Sequence, residues 1–188
     1  MKTNILLNPL AAVFICVSGP VSAQNLQTLQ KMDPQEVAKR LADNPPLFLQ
    51  MAIKTGKWNE PAEPMHIAGP IYFVGTQGLS VWLVKSSEGL ILLNTGMPES
   101  GPMIEKSVRK LGFKPKDIKL LLTGHAHIDH AGGHAYIKKL SGAQVATMDI
   151  EEELLESGGR GDFHYAAFPE FRYEPVNLFD AKDVSGPG

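Results

Sequence analysis

The sequence predicts an α/β layered fold, and three observations carry that prediction. Short β-rich runs alternate with stretches of helical period from residue 71 onward. One run, "IKLLLT" at 118–123, is apolar at nearly every position, as a strand buried on both faces of a sheet requires. The composition, 43% hydrophobic and 20% charged over 188 residues, is that of one soluble globular domain, and no repeat of fixed period points to a solenoid.

The N-terminus stands apart from this pattern. Lys2 supplies a positive start, "ILLNPLAAVFICV" an interrupted apolar core, and Val21-Ser22-Ala23 a small-residue cleavage site before Gln24. Residues 1–23 therefore read as an export signal, and the product is expected in the periplasm or outside the cell. Val13, Phe14 and Ile15 before Cys16 lack the small side chains of a lipoprotein signal, so a soluble product is expected. Cys16 is the one cysteine, so a chain cut after Ala23 keeps none, and neither disulfides nor metal–thiolate bonds can support the fold. No apolar run reaches the roughly 18 residues of a membrane-spanning helix. A net charge of -2 excludes the basic excess that nucleic-acid binding needs.

Residues 24–57 are expected to form a helical extension. Asp33-Pro34-x-Glu36 starts a helix with an N-cap acceptor, a proline at the first position and a carboxylate in the first turn. That helix should run to about Leu41 and stop before Pro45-Pro46, and residues 55–64 read as a linker. The main domain is expected over 58–188. Its first strands are 71–74, 80–85 and 90–94, punctuated by Gly75, Gly78 and Gly89. "TQGLS" at 76–80 is either a substrate-facing loop or a plain inter-strand turn. Met103, Ile104, Ser107, Val108 and Leu111 recur at helical spacing, and Gly112 supplies a stop. After the strand at 118–123 come a short helix around 135–140, a strand at 143–148, and a helix from Asp149 to Gly158-Gly159. The chain beyond is irregular.

Between the strand at 118–123 and the next helix lies "HAHIDHAGG", residues 125–133. Four ligand-type side chains occupy six positions. Residues two apart in extended backbone point the same way, so His125 and His127 project to one side while Ala126 and Ile128 face the packing. Asp129 and His130 follow where the chain turns towards a helix, and aim at a neighbouring point. The stretch thus offers two pairs of ligands to two metal ions a few ångströms apart. Nitrogen and carboxylate donors fit zinc best, with iron or manganese as alternatives. Two metals can bring a bridging water near neutral pKa and clamp the oxyanion of a tetrahedral intermediate. The loop also follows a strand directly, at the carboxyl end where α/β folds place their sites. His66, His134 and His164 carry no such neighbours and read as ordinary polar side chains.

The motif "HAHIDH" resembles the His-x-His-x-Asp-His signature of the metallo-β-lactamase superfamily, and "GLILLNTG" (89–96) resembles that superfamily's upstream strand and turn. "EPMHIAGPIYFVGT" (63–76) and "ESGGRGDFHY" (156–165) narrow the resemblance to the third subclass of class B β-lactamases, over about residues 58–175. The resemblance implies an αβ/βα sandwich, of which this chain supplies roughly the N-terminal half, with a dinuclear zinc site at one edge. It implies that His125 and His127 are ligands of the first zinc and that Asp129 and His130 are ligands of the second. A hydroxide between the metals would attack the β-lactam carbonyl, with Asp129 as the catalytic residue that holds the second metal and orients the nucleophile. The implied substrate is a small-molecule β-lactam (a penicillin, cephalosporin or carbapenem), acted on by a monomer without a nucleic-acid or membrane partner.

Two departures from the family pattern stand out. Asn94 occupies a turn where many relatives carry aspartate, and its amide can still hydrogen-bond locally. The family's further histidine ligands and its later serines have no counterparts after His130, where His134 and His164 sit in other settings. The expectation is therefore a domain incomplete at its C-terminus, with an under-ligated first site, an open apolar sheet face and little stability or activity by itself. A lactone or thioester hydrolase of the same fold, or an inactive metal-binding fragment, are the alternative readings.

Overall fold

The computed structural model describes residue 28 and residues 31–178 of the chain. The export signal expected over 1–23 lies outside the described residues, as does everything from residue 179 onward. Among the described residues, no helix is long and apolar enough to cross a membrane.

The chain divides into two units between Met51 and Ala52. In the first, helix α1 (Pro34–Ala42) begins as its sequence predicts. The Asp33 carboxylate accepts from the backbone N–H groups of Gln35 at 2.9 Å and Glu36 at 3.4 Å, with proline at the first position. The Pro45-Pro46 pair, expected only as a stop, instead opens helix α2 (Pro45–Thr55). Prolines lack the N–H groups that a first turn leaves unpaired anyway, and Asn44 caps the turn by accepting from the Leu47 N–H at 3.1 Å.

The second unit carries a six-stranded sheet in the order β1 (Met65–Ala68), β2 (Ile71–Phe73), β3 (Trp82–Lys85), β4 (Leu90–Leu93), β5 (Ile118–Leu122), β6 (Gln144–Ala146). The first four strands pair antiparallel as a meander; β4–β5 and β5–β6 pair parallel. The change of direction follows from the connections. Short turns join the meander, while helices α3 (Ser100–Lys110) and α5 (His134–Ser141) cross over between parallel strands. Strand β1 lies between the linker expected over 55–64 and the first expected strand at 71–74, where the sequence suggested no element. All four of its residues are exposed and it pairs only with β2, so no alternation marked it. Residues 76–80 form an inter-strand turn: Thr76 N–H donates to the Leu79 carbonyl at 3.0 Å, and Gln77 N–H donates to the Glu60 carbonyl at 2.9 Å.

Register places Leu83, Leu92, Leu121 and Val145 in one row across four strands, and each is at most 4% exposed. Helix α5 lies against β5, and α3 against α5, so Ile104, Val108 and Ile137 close this face completely. Each such side chain contributes about 1.5–3 kcal/mol by leaving water. Truncating Leu92 to alanine is expected to destabilise the domain by about 2–5 kcal/mol, readable as a lower urea midpoint at unchanged m-value.

The opposite face carries a different row: Trp82, Leu93, Leu122 and Ala146, each only half-buried, beside Val84, Ile91 and Leu120. The expectation that 118–123 is buried on both faces therefore holds for one face only. Ile118 and Leu121 are fully buried, whereas Leu120 and Leu122 remain half-open and Lys119 is exposed.

Candidate metal centre

Beyond β5, residues 123–127 are extended or bent, and the chain then forms one helical turn, α4 (Ile128–Ala131). Ala126 is fully buried and Ile128 nearly so, which turns their neighbours outward. His125, Asp129 and His130 each offer a ligand atom within 4.8 Å of the others. The His130 Nε2 lies 3.3 Å from the Asp129 Oδ2, and the His125 ring centroid is 3.9 Å from that of His130. Burial, then the neighbouring His130 and His127, hold the His125 pKa below that of a free imidazole, which keeps it in the neutral, metal-binding form. Burial pushes the Asp129 carboxyl up, but the hydrogen bond and charge of His130 outweigh it and hold the carboxyl below its ordinary value. A neutral imidazole, a second imidazole and an ionised carboxylate converging on one point are a donor set that fits a divalent metal.

His127 belongs to a different contact. Its ring stands edge-on to His125 at 4.7 Å, but its Nε2 donates to the Asp162 Oδ2 at 3.0 Å. Asp162 is buried, and its other oxygen accepts from the backbone N–H groups of His164 at 2.7 Å and Tyr165 at 2.6 Å. The carboxylate is thus fixed, fixes the imidazole in turn, and leaves the lone pair of His127 Nδ1 available to a cation. Carboxylate–imidazole–metal relays of this kind orient ligands in many metal proteins. Sequence reading assigned Asp162 no role; its signal was an aspartate followed by an Asx-type turn in "GRGDFHY". Asp162→Asn keeps an acceptor for the two N–H groups but sets an amide against His127. It is expected to weaken metal binding about 10- to 100-fold, measured by competition with a chromophoric chelator.

Further contacts hold the backbone of the loop. The Ala126 N–H donates to Glu151 Oε2 at 2.8 Å, from helix α6 (Asp149–Ser157), and the Ala126 carbonyl accepts from the Tyr173 hydroxyl at 2.6 Å. The peptide groups between His125 and His127 are therefore gripped from both sides. Burial pushes the Tyr173 phenol pKa up, so it remains a donor. Asn94, at the end of β4, adopts a left-handed backbone (φ 61°) and its side-chain oxygen accepts from the Gly124 N–H at 3.0 Å. Gly132 and Gly133 allow α4 to approach the turn after β4: a Cβ would fall 2.6 Å from the Pro98 nitrogen and 2.7 Å from the Thr95 carbonyl, respectively. Of the remaining histidines, His134 is wholly buried and His66 and His164 lie outside the cluster.

A profile of the metallo-β-lactamase superfamily matches residues 74–187. The chain belongs to this superfamily. Its mixed sheet and flanking helices match superfamily structures over about two-thirds of its length. BJP-1, a subclass B3 metallo-β-lactamase of Bradyrhizobium japonicum, is 43% identical with a TM-score of 0.62, covering 68% of this chain and 47% of that one. The FEZ-1 metallo-β-lactamase from Legionella gormanii is 40% identical at the same TM-score, covering 63% and 45%. An N-acyl homoserine lactonase of Bacillus cereus is 33% identical over 42% of this chain and 43% of that protein. The chain thus spans just under half the length of the superfamily members it matches.

Proposed function

We propose that this chain is the metal-holding part of a zinc-dependent hydrolase that opens the β-lactam ring of small-molecule antibiotics. The observation that carries the reading is the convergence of His125, Asp129 and His130 at the carboxyl end of β5, with Asp162 aiming His127 from beside them. In the loaded protein His125 would turn to share a first zinc with His127, leaving Asp129 and His130, beside which it lies here, to hold a second. The subclass B3 neighbours at about 40% identity support β-lactam as the substrate class. When bound, zinc would polarise the scissile carbonyl and bring a water near neutral pKa.

The chain's own residues do the remaining work. Neutral His125 presents a lone pair, Asp162 keeps His127 in the tautomer with Nδ1 free, and ionised Asp129 accepts a hydrogen bond from the attacking water and orients it. A shallow apolar groove of about 410 Å³ is lined by Trp82, Leu93, Leu122, Asn94 and Gly124, the last of which precedes His125 in the chain. It is a place where a substrate body could lie beside the reacting carbonyl. Export to the periplasm and action as a monomer complete the proposal.

The lactonase relatives favour a second reading, hydrolysis of a homoserine lactone by the same donors. Both esters and amides of strained or small rings pass through a tetrahedral oxyanion, so the site chemistry accommodates either. The test is zinc stoichiometry together with hydrolysis of a chromogenic cephalosporin, a carbapenem and an acyl homoserine lactone, each with and without EDTA. Slow, chelator-sensitive β-lactam opening is expected. Lactone hydrolysis alone would select the second reading. Zinc binding without turnover of any of them would identify an inactive metal-binding fragment.

A further inference from the structure

We propose that Thr95 and His134 are positioning residues: a hydrogen-bond chain running from His134 through the Thr95 hydroxyl to the His130 carbonyl ties that ligand to the sheet. The proposal rests on the reading of His130 as a metal ligand. Helix α4, which bears Asp129 and His130, is only four residues long, too short to hold its own geometry by helical bonding. Its anchor lies elsewhere. The Thr95 N–H donates to the His130 carbonyl at 2.7 Å, and the Thr95 hydroxyl donates to the same oxygen at 3.2 Å. Thr95 follows β4 by two positions, so both bonds fasten the ligand turn to the end of a central strand.

The hydroxyl has a second partner, His134 Nδ1, at 2.7 Å. A threonine has one hydroxyl proton, and donating it to the His130 carbonyl leaves only a lone pair for His134. His134 must then carry its proton on Nδ1 and donate. This assignment leaves Nε2 as a bare lone pair, and the Nε2 atom is buried without a partner. The opposite tautomer would bury an unpaired N–H, the rarer and costlier defect, and would take the Thr95 proton away from the carbonyl. His134 is completely buried, 39 positions from Thr95, in a site where leucine would pack without leaving a polar atom unmatched. The orphaned nitrogen is explained if the position is kept for the donor on the other side of the ring.

The experiment is a cobalt(II) titration of the 188-residue protein, followed by the visible d–d absorption, with four variants. Thr95→Val and His134→Leu break the chain at its two links. Thr95→Ser keeps the hydroxyl, and His134→Asn keeps a donor near the Nδ1 position. Val and Leu are each expected to weaken cobalt binding about 10- to 100-fold and to alter the band shape, while Ser and Asn stay within about threefold of the parent. The double variant should be no weaker than the worse single one, because both cut the same chain. Parent-like affinity and spectrum in Thr95→Val would overturn the proposal. Equal losses in His134→Asn and His134→Leu would also overturn it, since volume and not the donor would then matter. If His134→Leu fails to fold, the comparison at Thr95 of isosteric Val with hydroxyl-bearing Ser decides. If the parent itself binds no cobalt, the ligand reading of His130 falls, and the positioning role with it.

Discussion

Alanine in place of Asp129 is expected to abolish hydrolysis, lowering kcat/KM about a thousandfold or more, and to reduce the bound metal by about one equivalent. Asp129 sits between two imidazoles, and its carboxyl is held below its ordinary value by His130 despite partial burial. It is therefore ionised across the whole working range of pH, able both to hold a cation and to accept a hydrogen bond from water. Asp129→Asn separates these roles, because the amide keeps the shape and one acceptor but loses the charge. Its metal content should fall almost as far as that of the alanine variant. Full metal content in Asp129→Asn, with activity lost, would place Asp129 in proton handling alone; undiminished activity in either variant would remove it from the site.

The second large effect concerns acid. Burial alone lowers the His134 pKa from 6.5 to about 4 in the folded chain. An unfolded chain takes up this proton near 6.5. Between those values the unfolded state binds more protons, so stability falls as the pH falls. The contribution of the neutral ring is fully present above pH 6.5 and is lost progressively towards pH 4. The slope is about 1.4 kcal/mol per pH unit and the total about 3 kcal/mol, a large part of what a small domain possesses. Urea unfolding of the metal-free protein at pH 7 and pH 5 should show this drop. His134→Asn, which cannot take up the proton, should show a flatter profile over the same interval. Identical profiles for the two proteins would mean that other groups govern the acid transition.

Much of this was legible in the residues themselves. The cluster in "HAHIDH" that we propose as metal donors needed only local alternation and the turn into a helix, and the strands β2 to β6 announced themselves by apolar runs between glycines. Strand β1 did not, because an exposed edge strand is defined by its partner and not by its own pattern. Helix α2 was hidden by a proline pair that reads equally well as a stop or a start, and the cap at Asn44 decides between them. The supporting residues were the least legible. Glu151 meets Ala126 across 25 positions, Thr95 meets His134 across 39, and Tyr173 meets Ala126 across 47. Such pairs exist only once the sheet and helices have brought them together, so no window of sequence contains them. His134 shows the cost most plainly: it read as an ordinary polar side chain and is instead fully buried.

Three of the contacts on the donor loop, from Glu151, Asp162 and Tyr173, come from one stretch of chain downstream of β6. That segment carries no strand of the sheet and is held partly by what it holds. Energetic coupling is reciprocal, so if its docking tightens the grip on a cation, the cation must by the same factor tighten its docking. Metal loading would then slow amide exchange and protease cutting across residues 149–173, far along the chain from the donors themselves.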